Sequence, residues 1–147
     1  MAGMNKFVVF PLGKQRFAVP ATQVTELANQ GIPQMFPHTT PSLLGVLVRR
    51  STVVAVCDVA PALNIVTRGE NKFYLIAECM VGGKFEPVAM PVTGECVLAE
   101  ATMAPKQERF GLGVLESKGE QITVLDLDAL VGYCTARPPQ QGTETSR

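Results

Sequence analysis

Thiols, a single histidine and carboxylates are the groups in this 147-residue chain that could do nucleophilic or metal chemistry. The most reactive combination takes Cys57 as nucleophile, His38 as its base and Asp58 as the group that orients the base. Two features oppose it. Cys57 and Asp58 are adjacent in an extended run, so their side chains leave on opposite faces. The run itself, "VVAVC", is apolar and pushes a thiol pKa up, away from the thiolate that chemistry needs. His38 lies in the Pro-rich stretch "FPHTTP" and reads as a solvated loop residue. The four cysteines, Cys57, Cys79, Cys96 and Cys134, show none of the close spacings of a zinc site or a CxxC redox pair. They read as small hydrophobes of a reduced core. The chain is therefore expected to be no enzyme, with no metal and no cofactor.

Composition narrows the remaining classes. Hydrophobic residues make up 46% of the chain and charged ones 18%, which suits one globular unit, and every apolar run is broken too soon for a membrane span. Formal net charge is zero and there is no Trp, so neither a phosphate-binding surface nor a base-stacking platform is offered, and nucleic acid is not expected as a ligand. The opening "MAGMNKFVVFPLGKQ" lacks the long apolar core of an export signal, and the expected location is cytoplasmic. One charged feature stands out. Arg49 and Arg50 interrupt "SLLGVLVRRSTVVAVCDVA", which is otherwise apolar up to Asp58.

Short Val-, Ile- and Phe-rich segments punctuated by turn residues dominate the chain. "KFVVF", "RFAV", "LLGVLV", "TVVAVC", "KFYLIAECMV", "EPVAMPV", "GECVL", "GLGVLE" and "QITVLD" read as strands, and their number and spacing argue for a small barrel or sandwich. "PATQVTELAN" reads as a short helical turn running into a strand. Asp58 and Asp126 are acidic N-cap candidates for short helices over "VAPAL" and "LDALV". Residues 1–136 are expected to form one domain and 137–147, "RPPQQGTETSR", a disordered tail. Met80 and Met90 lie in apolar strands, and the core is their expected place, with the lining of a groove as the alternative.

Residues 44–58 have a partner in 112–126. "LGVL" occurs at Leu44 to Leu47 and again at Leu112 to Leu115, and without gaps Val56 and Asp58 then match Val124 and Asp126. Each copy reads as strand, tight turn, strand and capped helix, which suggests two related antiparallel lobes with one hairpin apiece. This register places Arg49 and Arg50 at a hairpin turn, with Leu44, Val46 and "TVVAVC" packing inward. Ser51 falls where the second copy has Gly119. If the turn needs positive φ, Ser51 costs on the order of 1 kcal/mol there.

These residues together resemble the CheW-like coupling proteins of bacterial chemosensory arrays. "FPLGKQRFAVP" looks like the family's first hairpin, and "QVTEL" resembles its Val-x-Glu-Ile element, with Val24 and Glu26 at the Val and Glu. "GVLVRRSTVVAVCDV" is similar to the stretch G-V-x-N-L-R-G-x-I-x-P-V-x-D-L-R at Gly45, Val46, Arg50, Val53, Val56 and Asp58. "GLGVLESKGEQITVLDLDALV" resembles the closing segment of the family. Val48, Ser51, Ala55 and Ala60 replace the motif's Asn, Gly, Pro and final Arg, so the polar signature departs more than the core.

The resemblance implies a mainly β, CheW-like fold of two five-stranded, SH3-like barrel lobes with short helices and a groove between them. It implies a non-enzymatic adaptor linking the cytoplasmic tip of chemoreceptors to the regulatory domain of a CheA-type histidine kinase, with other CheW-like domains as a further partner class. The departures point to an auxiliary pathway, such as surface or type IV pilus-like motility, or to a modulator that binds receptors but not kinase. A small barrel enzyme and an oligonucleotide-binding module are the distant alternatives. Val24, Glu26, Val46 and Arg50 are the expected partner-binding residues. Glu26 is the expected ionic counterpart of Arg50, on this chain or on a partner, and Asp58 and Asp126 are expected to be helix caps.

Overall fold

A computed structural model describes residues 4–28, 42–67 and 73–136. The Pro-rich loop through His38 and the 137–147 tail lie outside the described residues. Ten strands follow in order: β1 (Asn5–Leu12), β2 (Gln15–Pro20), β3 (Val24–Ala28), β4 (Leu43–Arg49), β5 (Thr52–Cys57), β6 (Phe73–Val81), β7 (Lys84–Val92), β8 (Val97–Ala101), β9 (Gly111–Ser117) and β10 (Glu120–Leu125). One helix, α1 (Leu127–Thr135), closes the described chain. "PATQVTELAN" becomes a 3-10 turn, Ala21–Gln23, running directly into β3. "GECVL" is displaced, since its strand begins only at Val97 and runs on to Ala101.

The strands form two five-stranded sheets. The first lobe has the order β8-β1-β2-β10-β9 and the second β3-β6-β7-β5-β4, so the chain leaves the first lobe for β3 to β7 and then returns. The repeat is visible in hydrogen bonds as well as in sequence. Gly45 pairs with Val56 and Gly113 with Val124, and beyond each pair the register slips, bulging out Leu44 in one copy and Leu112 in the other. Asp58 N donates to Ser42 O at 2.7 Å as Asp126 N donates to Phe110 O at 2.8 Å. The lobes are not wholly antiparallel. Each contains two hairpins joined by one parallel pair, β5 with β7 and β2 with β10.

Alternation along the strands builds three cores. Leu47, Val54, Val56, Tyr74 and Ile76 fill the second lobe. Phe7, Val9, Leu115, Ile122 and Val124 fill the first. The opposite strand faces, with Phe10, Leu75, Met90, Leu125 and α1's Leu127 and Leu130, make a larger core between the lobes. Asp126 stands at the N-cap of α1 and accepts from Ala129 N at 3.2 Å. Asp58 does not start an equivalent helix. The segment there is one 3-10 turn, Pro61–Leu63, with Ala60 as its N-cap and Asn64 ending it in left-handed backbone, while Asp58 accepts from Ala60 N in a local turn. No helix among the described residues is long and apolar enough to cross a membrane.

Candidate functional site

Because β5 runs parallel to β7, the β4–β5 and β6–β7 turns emerge at the same end of the second lobe. At the first of these turns Arg50 has φ 51° and Ser51 φ 66°. Left-handed backbone at both central residues suits a two-residue hairpin, whose twist then follows that of the strands. It also leaves Arg50 projecting from the apex, exposed. Exposed apolar pairs stand at this end on opposite faces of the sheet. Val48 and Val53 are cross-strand partners and are 58% and 63% exposed. Met80 and Phe85 are cross-strand partners on the neighbouring hairpin, at 38% and 65%.

Val48 and Val53 point outward because the next pair in, Leu47 with Val54, points into the core. The expectation that Val46 packs inward therefore fails. The bulge at Leu44 shifts the alternation by one residue, so Leu44 reaches the lobe core while Val46 lies half-buried on the outer side. Met80 is exposed, against the expectation of a core role, and Met90 is buried. The reason is length. The β6–β7 hairpin runs two residue pairs further beyond its parallel partner than β1–β2 does, and Met80–Phe85 is one of the extra pairs.

Glu26 finds a different arginine from the one expected. Its carboxylate pairs with the guanidinium of Arg49, not Arg50. Arg49 is the last residue of β4 and shares the inner side with Leu47, whereas Arg50 sits in the turn and leads away. β3 and β4 are opposite edges of the same sheet, so this ion pair clasps the second lobe shut. The hydrogen bond from Arg49, with the charges of Arg49 and Arg50, holds the Glu26 carboxyl below its ordinary value against the opposing effect of burial. The bond to Glu26 raises Arg49 in turn.

Of the four expected binding residues, Val46 and Arg50 lie on the exposed hairpin. Glu26 is engaged within the lobe, and Val24 packs against the core between lobes. Sequence reading placed Met80 in the core and did not single out Val48 or Phe85 for binding. The available signal was the run Val46 to Val48, too apolar on both faces for a half-buried strand.

Three of the four thiols are pushed away from the thiolate, while the hydrogen bond with Cys57 holds Cys134 below an ordinary thiol pKa. Cys57 is fully buried, and the neighbouring Cys134 thiol together with burial pushes it far above an ordinary thiol pKa. Burial moves Cys79 up to about 12 and Cys96 up to about 11. Among the described residues no cluster of three or more His, Cys, Asp or Glu could hold a metal ion.

Comparison with known proteins was made on both sequence and fold. The family model of the CheW-like domain matches residues 6–92, covering β1 to β7. A probable chemotaxis protein CheW of Rhizobium etli is 24% identical over 136 residues, spanning 87% of this chain and 88% of its own length. The crystal structure of the scaffolding protein TtCheW from Thermoanaerobacter tengcongensis superposes with a TM-score of 0.68 at 20% identity, covering 88% of this chain and 92% of that one. The likeness extends beyond the matched segment into the later strands of the first lobe.

Proposed function

Because this chain belongs to the CheW-like domain family, a family of non-enzymatic scaffold and adaptor proteins of chemotaxis, we propose that it couples chemoreceptors to a CheA-type histidine kinase. In this reading it is a cytoplasmic adaptor recruited to receptor arrays, in an auxiliary motility pathway. Residues 1–136 act as one interleaved domain, and other CheW-like domains are further partners.

The observation that carries the reading is the apolar end of the second lobe. Val48 and Val53 stand exposed on the outer face next to the Arg50 turn, and Met80 and Phe85 stand exposed on the opposite face of the neighbouring hairpin, where a hydrophobic surface gains nothing from water. A sheet end of this kind packs against a like sheet end. Burying side chains of this size contributes roughly 1.5–3 kcal/mol each before the cost of association. Arg50 at its rim adds a planar cation suited to a partner carboxylate or to backbone carbonyls.

The test is a titration of the purified protein against the regulatory domain of its cognate kinase, with Val53→Asp and Arg50→Glu in parallel and circular dichroism to check folding. Saturable binding is expected, weakened at least about tenfold by Val53→Asp. Binding to a receptor-tip fragment but not to the kinase would replace the coupler with a receptor-side modulator. Equal binding by all three proteins would remove the second-lobe end from the interface.

A further inference from the structure

On a different face, between the lobes, Arg109, Phe110 and Tyr133 form a stack that the adaptor role of the second-lobe end does not use. The Arg109 guanidinium lies 4.7 Å from the centroid of each ring, and the two rings are 5.3 Å apart. Phe110 takes φ 62°, a conformation costly for a bulky residue and one that recurs at ligand clamps. Its ring lies against that of Tyr133 with 53° between the planes, and Arg109 lies close to both.

Beside the stack opens a cavity of about 290 Å³. Leu63 from the 3-10 turn of the second lobe gives it a half-buried apolar wall over the buried Phe17 and Leu125 of the first, and Gln15, Asn64 and Thr123 give it neutral hydrogen-bonding groups. Its mouth carries Glu108 and Arg109. Glu108 is engaged, accepting from Thr123 Oγ1 at 2.8 Å and facing Lys106 at 3.8 Å. Arg109 has no carboxylate partner among the described residues. Arg109 is exposed, so a planar anion can reach its N–H groups.

We propose that this cavity is a recognition site for a protein segment carrying a carboxylate next to one large apolar side chain, the carboxylate on Arg109 and the apolar group between Phe17, Leu63 and Leu125. Size selects a side chain over a cofactor, because the volume lies at or below the smallest usual cofactor pockets, about 300 Å³. Charge selects an acidic segment, since Arg109 is the uncompensated ion at the mouth.

The test is an NMR titration of the full chain with two probes of equal bulk, N-acetyl-phenylalanine and its uncharged carboxamide. The acid is expected to shift the backbone amides of Gln15, Asn64, Arg109 and Thr123 saturably, about tenfold more tightly than the amide, as loss of one charge-assisted hydrogen bond predicts. Arg109→Gln should reduce the acid to the affinity of the amide. Gln15→Trp, which fills the cavity mouth, should abolish both. Val53→Asp at the distant lobe end should change neither, which separates this site from the proposed kinase contact. Equal binding of acid and amide, shifts unaffected by Arg109→Gln, or no shifts at these amides would overturn the proposal.

Discussion

At the hairpin end of the first lobe the cross-strand pair is Glu116 with Gln121; at the matching place in the second it is Val48 with Val53. Both pairs face outward, one step beyond buried pairs that do match, Leu115 with Ile122 and Leu47 with Val54. The first-lobe end also carries an exposed ion pair between Arg16 and Glu120, at 2.9 Å, whereas Met80 and Phe85 of the second, on its longer hairpin, have no counterpart there. Inside, the copies are held alike by packing. Outside, where folding demands little, one pair is polar and the other apolar.

The lobes also close differently. In the first, Ala104 and Val114 exchange two backbone hydrogen bonds, 2.9 and 2.8 Å, tying the segment after β8 to β9. In the second, the clasp is the ion pair of Glu26 with Arg49. Backbone bonds are indifferent to pH, whereas an ion pair is sensitive to pH and to salt.

The largest expected effect breaks the first closure. A Cβ on Gly113 would come within 2.5 Å of Ala104 O, so Gly113→Val should part the bridge and cost about 3 kcal/mol, read by urea unfolding. A loss below about 0.5 kcal/mol would show that the bridge does not hold the lobe.

Exchanging the end residues sharpens the contrast. Val53→Gln gives the second lobe its counterpart's side chain and should weaken kinase-domain binding about tenfold, with stability changed by less than about 0.5 kcal/mol. The reciprocal Gln121→Val should leave affinity unchanged by the same titration, and a matching loss there would make the two ends equivalent.

The turns differ at both central residues, and at the second the difference bears on backbone strain. Ser51 and Gly119 occupy the same position, with φ 66° and φ 81°. Ser51→Gly should therefore stabilise, and Gly119→Ser destabilise, each by about 0.5–1 kcal/mol in chemical denaturation. Destabilisation by Ser51→Gly would mean that the serine hydroxyl matters more than backbone strain.

The smallest effect concerns the ionic clasp. Arg49 holds Glu26 below its ordinary 4.5, so near that pH the native state binds fewer protons than the unfolded chain. The clasp contributes fully above the unfolded value and is lost as pH falls through the depressed native one. The stability difference between wild type and Glu26→Gln should be level from about pH 7 to about pH 5, then shrink toward about pH 3. A difference that stays level down to about pH 3 would rule the ion pair out as its source.

Much of the fold was legible in the chain. Nine apolar segments marked strands, the Pro20 turn into β3 was readable from its residue types, and the repeated "LGVL" with its matched aspartates located both bulged hairpins. Periodicity carries this information because each strand must bury one face wherever it lies. The site was less legible. The arginine turn was located, but its neighbours Met80 and Phe85 come from a hairpin far off in sequence, and only the parallel β5–β7 pair brings them alongside.

The choice of Arg49 over Arg50 as partner of Glu26 shows where that boundary falls. The sequence by itself determined that two cations stood at a turn and that a carboxylate lay on an earlier strand. Which of the two faces inward depends on the parity of β4 after the bulge at Leu44, and the meeting with Glu26 depends on β3 and β4 curling together as edges of one sheet. Only the tertiary structure decided that, because a one-residue shift in register exchanges the inner and outer faces of a strand.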